Sequence, residues 1–288
     1  MSDYMIFSDS GCDVSYEQFE EWGVKGTDLT FHFEDGVEYS NSSMSTAEFY
    51  KRMRAGEVSK TAAINIDSFK KLFEPALKEG KDILYIGFSS GISSTSNSGI
   101  MACRELEEEY PERTIIGIDT LCASAGEALM VYLAVEKKNA GASIEENAQF
   151  VRDMIPKIAQ WFTVDDLKYL VRGGRVSAAA AFAAGMLGIK PVLKVDDEGC
   201  LTNTAKVRGR AQSIKALAKK FSETAEDPAT SPYFISQADC LDDALALEEL
   251  IANAHGNKCK LITDIGPVIG SHAGPGTLAL FYVGKNRS

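Results

Sequence analysis

The stretch Asp82 to Cys103, DILYIGFSSGISSTSNSGIMAC, narrows the choice of fold more than any other part of the chain. Ile83 to Ile86 is a short apolar run of strand length and strand composition. The chain then breaks into glycine and hydroxyl residues, and from about Thr95 to Glu109 the pattern predicts a helix. Strand, polar loop and helix N-terminus in that order belong to an open α/β sheet, where ligands sit beyond the carboxyl ends of the strands. A helix N-terminus offers free N–H groups and partial positive charge, which favour an anion. Ser89, Ser90, Ser93, Ser94 and Thr95 add side-chain donors, and the loop has no Lys or Arg. It is suited to hydrogen-bonding a modest anion rather than gripping a polyphosphate.

The flanking sequence repeats this alternation. Tyr4 to Ser8 reads as a first buried strand ending in the polar loop Ser8-Asp9-Ser10-Gly11-Cys12-Asp13, and Thr114 to Ile118 as another ending at Asp119-Thr120. Between them come a helix, a strand, a hairpin turning at Glu34-Asp35-Gly36, and a helix over Ser45 to Ala55 opened by the capping-box pattern Ser45-Thr46-Ala47-Glu48. Lys60 to Asn65 reads as a loop, followed by a helix to about Lys78 that Pro75 should kink or end. Helices are expected over Ala123 to Lys138 and Ser143 to Ile155. The alternation implies a mostly parallel sheet with the Asp9, Ser89 and Asp119 loops on one edge.

The second half changes character. Arg172-Gly173-Gly174-Arg175 is a sharp break, and Ser177 to Gly188 reads as a helix of small residues, either core packing or the wall of an apolar cavity. Strands are expected at Ile189 to Val195, Leu201 to Val207, Tyr233 to Ser236 and Lys260 to Thr263, with helices over Arg208 to Phe221 and Leu241 to Ala254. Ile265 to Gly276 reads as a Gly/Pro-rich loop before a last strand to Val283. The expectation is an α/β protein of two α/β domains, 1–158 and 159–288, the first built on a mostly parallel sheet.

The chain has 288 residues with 30 basic and 41 acidic side chains, a net charge of −11. That disfavours nonspecific nucleic-acid binding and allows at most transient contact with an anionic membrane. The first residues carry Asp3, Asp9 and Asp13 without an apolar h-region, so no secretory signal is expected, and no apolar run is long enough to span a bilayer. Six cysteines are scattered without a C-x-x-C pair, which fits a reduced cytoplasmic protein with no metal site.

Several residues carry competing readings. Gly87-Phe88-Ser89-Ser90-Gly91 fits G-x-S-x-G after a strand, which would make Ser89 the nucleophile of a serine hydrolase acting on acyl esters, with Asp119 and His272 as partners. Against it, several Gly and Ser residues stand between Ser89 and the helix that an elbow requires at once. The loop hydroxyls could also serve only to cap the helix. Asp9 and Asp13 lack the two-apart spacing of a phosphotransferase aspartate pair, so Asp9 reads as an acceptor for loop N–H groups. His272 sits in the Gly/Pro-rich stretch, either on the surface or aimed at a ligand. Arg172, Arg175, Lys206, Arg208 and Arg210 are basic spots in an acidic chain, either solvated or a docking patch for a partner or a phosphorylated product.

Taken in order, Ser8-Asp9-Ser10, Ser89-Ser90-Gly91-Ile92-Ser93, Asp119-Thr120, Leu170 to Arg175, Ile189-Lys190-Pro191, Lys206-Val207-Arg208 and Gly266 to Gly276 resemble the DegV family of bacterial fatty-acid-binding proteins across nearly the whole chain. The resemblance implies a long-chain fatty acid buried between two domains, its carboxylate held by Thr61, Ser93 and His272. Asp9, Ser90, Gly91, Ser94 and Asp119 would support the loops. It implies a binding subunit without a catalytic residue or cofactor, which presents the acid to a separate kinase that makes acyl phosphate for phospholipid synthesis. Arg175 and Arg208 would face that partner. The chain departs from the family pattern at Thr61 to Asn65, at Ser94 and at Ser96-Asn97. Sequence admits both a charged His272 paired with the carboxylate and a neutral one donating a single N–H.

Overall fold

The computed structural model describes residues 3–177 and 188–287. The chain opens with β1 (Tyr4–Asp9), α1 (Tyr16–Trp22) and β2 (Val24–Thr27), then the antiparallel hairpin β3 (Thr30–His32) and β4 (Glu38–Ser40). α2 (Thr46–Arg54), β5 (Lys60–Ala62) and α3 (Ile66–Lys78) lead to β6 (Asp82–Gly87), α4 (Thr95–Glu109) and β7 (Ile115–Asp119). α5 (Ala125–Asn139) and α6 (Ile144–Met154) precede β8 (Ile158–Thr163) and α7 (Lys168–Arg172). The chain continues through β9 (Ile189–Val195), β10 (Leu201–Arg208), α8 (Arg210–Thr224), β11 (Tyr233–Gln237), α9 (Leu241–His255), β12 (Leu261–Asp264), α10 (Pro267–Ala273) and β13 (Leu278–Val283).

β2, β1, β6 and β7 make a parallel four-stranded sheet in that order. Every residue of β6 is buried, as the unbroken apolar run requires of a strand covered on both faces. Ile83 and Tyr85 pack with Phe69 and Phe73 of α3, while Leu84 and Ile86 pack towards α5 and α6. A six-stranded mixed sheet, β10-β9-β8-β13-β11-β12, fills the second half, with α8 and α9 on its outer face. α5 lies between the two sheets. It is buried nearly all round, with Ala125, Ala128, Leu129 and Val131 fully enclosed, as expected for a helix apolar on every side. One apolar cluster runs from Ile6 and Leu84 through α5 to Phe281.

Four expectations need correction. Lys60–Ala62 is a strand, β5, paired antiparallel with β3 through Phe31 opposite Thr61. The pairing comes from a sheet edge distant in sequence, which the local Lys-Thr-Ala pattern cannot reveal. α3 ends at Lys78 as expected, but Pro75 does not mark its boundary, because Phe69, Phe73, Ala76 and Leu77 bury its apolar face and a proline in the last turn costs few helix bonds. β8, over Ile158–Thr163, is a fully buried central strand that the reading of the sequence lacked. The Gly/Pro-rich stretch before β13 contains the short helix α10, so His272 stands on a helix and not in a loop. At Ser45 half of the capping box forms: its side chain accepts from Glu48 N, without the return bond. The helix expected over Ser177–Gly188 lies outside the described residues.

Candidate functional site

A cavity of about 320 Å³ lies between the carboxyl end of the parallel sheet and the mixed sheet. Its wall is mostly apolar, with Leu29, Phe88, Phe162, Leu170, Val268 and Phe281 among the larger contributors. Thr61, Ser93, Ser94, Arg175 and His272 also line it. The three residues expected to hold a carboxylate therefore face one space, although they come from β5, the β6–α4 loop and α10.

Each is positioned by a different device. Thr61 Oγ1 lies 2.8 Å from His272 Nε2. β5 is pinned to α10 next door, where Ser59 Oγ donates to Ser271 Oγ at 2.6 Å and Ser271 donates on to the Pro267 carbonyl at 2.7 Å. α10 begins at Gly266, which has no side chain to cap it. Asp13 and Asn41, from the first half of the chain, supply that function by accepting from Gly266 N and Val268 N, each at 2.9 Å. The helix carrying His272 is thus held by residues more than two hundred positions away.

The Arg-Gly-Gly-Arg break supplies the other side of the histidine. A Cβ on Gly173 would fall 2.1 Å from His272 Nδ1, so only glycine leaves room for the ring. Gly174 has φ +71°, which turns the chain and points Arg175 back to the cavity. Arg175 Nε donates to the Ile92 carbonyl at 3.3 Å. Burial lowers the pKa of His272 to about 4, helped by the nearby positive charges of Arg175 and Arg172. The imidazole is therefore neutral near pH 7 in the unliganded protein. Its Nδ1 is buried and has no hydrogen-bond partner among the described residues. An orphaned lone pair costs less than an orphaned N–H, which assigns the proton to Nε2. Nε2–H then donates to Thr61, leaving the Thr61 hydroxyl proton for a ligand.

In the Ser/Thr loop, Ser94 is the residue before α4 but makes no capping bond. Ser93 takes over, its Oγ accepting from Thr95 N at 3.2 Å and lying 2.9 Å from Thr95 Oγ1. Ser93 and the N-cap residue Ser94 line the cavity at the start of α4. Asp9, Ser90, Gly91 and Asp119 are not in the wall but shape the loops behind it. Asp9 accepts from Gly11 N, from the Tyr85 hydroxyl at 2.8 Å and from Phe88 N at 3.3 Å. Burial raises its pKa to about 6. Asp119 accepts from Ser90 N at 3.2 Å and Leu121 N at 3.0 Å. Arg208 is exposed on the edge strand β10, apart from the cavity.

The arrangement that a Ser89 nucleophile needs is absent. Ser89 is fully buried and its hydroxyl donates to the Gly199 carbonyl at 2.8 Å. Asp119 is engaged by loop amides, and the histidine nitrogen that would serve as base bonds Thr61 instead. Among the described residues no group of three or more His, Cys, Asp and Glu is placed to hold a metal ion, and no helix is long and apolar enough to cross a membrane. The reading of the sequence gave no role to Asn41 or Ser59, weighed Asp13 only as half of a phosphotransferase pair, and named Gly173 only as part of a sharp break.

A DegV domain-containing protein of Clostridium perfringens is 38% identical over 290 residues, covering 100% of this chain and 99% of its own. A protein of Thermotoga maritima named as fatty acid-binding is 30% identical, covering 95% of each chain. The crystal structure described as fatty acid binding of a DegV family protein from Thermus thermophilus superposes with a TM-score of 0.88 at 26% identity, covering 99% of this chain and 100% of that one. The family model described as an uncharacterised protein of the DegV family matches residues 4–285, and this chain belongs to that family.

Proposed function

We propose that this protein binds a long-chain fatty acid in the cavity between its two sheets and presents it to a separate fatty-acid kinase, in the cytoplasm, for acyl-phosphate formation and phospholipid synthesis. The observation that carries the reading is an apolar cavity with Thr61, Ser93 and His272 together in its wall. Relatives that bind fatty acids support it. The division into domains 1–158 and 159–288, with the ligand between them, is part of the same proposal.

The chemistry follows from two costs. The tail must leave water, which favours burial by about 0.8 kcal/mol per CH₂. The carboxylate must also leave water, and an unpaired buried carboxylate is prohibitive. The Thr61 hydroxyl, polarised by the Nε2–H of His272, donates to one carboxylate oxygen. Ser93 and the free N–H groups at the start of α4 donate to the other. A neutral imidazole and hydroxyls hold the head without a buried ion pair, so the carboxylate stays a nucleophile that a kinase can phosphorylate. No residue of this chain performs that transfer. Arg175, at the cavity wall, and Arg208, exposed on β10, are the basic groups offered to the partner.

Native mass spectrometry of protein purified from bacteria should show a bound mass that denaturation releases as a long-chain fatty acid. A protein that is empty and also ignores added fatty acid would refute the reading. With a fatty-acid kinase and ATP, acyl phosphate should form only when this protein is present.

A further inference from the structure

The β9–β10 hairpin carries Val195 and Leu201 into the cavity wall, and its turn lies beyond the ladder that β9 makes with β8. β10 is an edge strand, and β9 pairs with β8 only over Val192–Lys194. Besides a 3.5 Å bond from Cys200 Sγ to the Gly91 carbonyl, the tip, Asp196–Cys200, leans on two groups from elsewhere. Ser89 Oγ donates to the Gly199 carbonyl at 2.8 Å, at a place where a Cβ on Gly91 would stand only 2.7 Å from the Glu198 carbonyl oxygen. Arg287 approaches from the other side. It is 2% exposed, and its guanidinium is shared among backbone carbonyls: Asp196 at 3.3 Å, Thr120 at 3.0 Å, Ile155 at 2.8 Å, and Leu121. Among the described residues it pairs with no carboxylate. Cys122 Sγ lies 3.5 Å from it as well. A buried cation satisfied mainly by carbonyls from three separate segments holds those segments together and tolerates little opening.

We propose that Ser89 and Arg287 are positioning residues of the acyl cavity: they latch the hairpin tip, and release of the tip sets how fast a ligand enters and leaves. The proposal rests on the fatty-acid reading. Both residues touch the tip and not the cavity, so they hold the closed state equally whether it is filled or empty. Weakening them speeds entry and exit by the same factor and leaves affinity unchanged. A residue that only shapes the wall would change exit and therefore affinity.

The test is stopped-flow uptake and release of cis-parinaric acid by the wild type, Ser89→Ala, Arg287→Lys and the wall variant Leu201→Ala, with amide hydrogen exchange read at residues 197–200. Ser89→Ala and Arg287→Lys should each raise kon and koff about tenfold, the worth of one hydrogen bond to a buried group, with Kd held within about twofold. Their tip amides should exchange faster, while Leu201→Ala raises koff and Kd alone. Unchanged rates in folded Ser89→Ala, or a Kd that rises with kon unchanged, would overturn the latch. Should Arg287→Lys fail to fold, Ser89→Ala decides. Should the wild type take up no probe, the fatty-acid reading falls, and tip exchange in Ser89→Ala still upholds or overturns the latch itself.

Discussion

At the scale of single residues, the Thr61–His272 pair has two separable consequences. In the proposed binding mode Thr61 and Ser93 each supply one donor to a buried carboxylate, and a hydrogen bond to a charged group contributes roughly 1.5–3 kcal/mol. Thr61→Ala with Ser93→Ala should weaken fatty-acid affinity at least a hundredfold by calorimetry while leaving the circular dichroism spectrum intact. Unchanged affinity would remove both residues from the site. The histidine acts on stability as well. Its folded pKa of about 4 lies below its ordinary 6.5, so between those values the unfolded chain binds a proton that the folded one refuses. Stability of the unliganded protein should therefore fall as pH drops from about 6.5 towards 4. His272→Gln should flatten that fall in urea titrations, and an unaltered acid limb would show that other groups govern it.

At the scale of elements, the site depends on how α7, α10 and β5 abut. Gly173 follows α7 with φ −75°, a conformation alanine adopts freely, so its role is space and not backbone freedom. Gly173→Ala places a methyl group where His272 Nδ1 now sits, 2.1 Å away. The ring must shift and its bond to Thr61 must lengthen. Fatty-acid affinity should fall about tenfold, the cost of one such bond, and overpacking beside the buried ring should lower the melting temperature by a few degrees. An unchanged affinity would mean that the ring's position does not matter. β5 and α10 show why this part of the site escaped local pattern reading. A three-residue edge strand and a seven-residue helix are both too short for hydrophobic periodicity to register, and both are held by partners remote in sequence.

At the scale of the molecule, Asp13 is where the two sheets are tied together. Its carboxylate accepts from Gly266 N at 2.9 Å and lies 2.6 Å from Ser124 Oγ, itself 2.9 Å from Ser236 Oγ on β11. Burial raises its pKa to about 8. The folded state thus keeps a proton that the unfolded chain releases above its ordinary 3.8, and stability should decline as pH rises from there through about 8. Asp13→Asn mimics the protonated form and suits the φ of +54° at this position. It should remove the alkaline part of the decline in melting temperature between pH 6 and 9. A variant that loses stability at both pH values would show that the carboxylate is needed ionised.

The parallel sheet and its loops were legible because strand, polar loop and helix follow one another within twenty residues, and each leaves a local mark. The resemblance carried by the loop and Gly/Pro motifs was enough to name Thr61, Ser93 and His272 together. Local pattern did not reach the tautomer of His272, the capping of α10 by Asp13 and Asn41, the space kept at Gly173, or the path of β8 through the centre of the mixed sheet. These rest on contacts between segments far apart in the chain and on a burial that shifts the proton equilibrium. Only the assembled tertiary structure sets which groups meet and how much water remains around them.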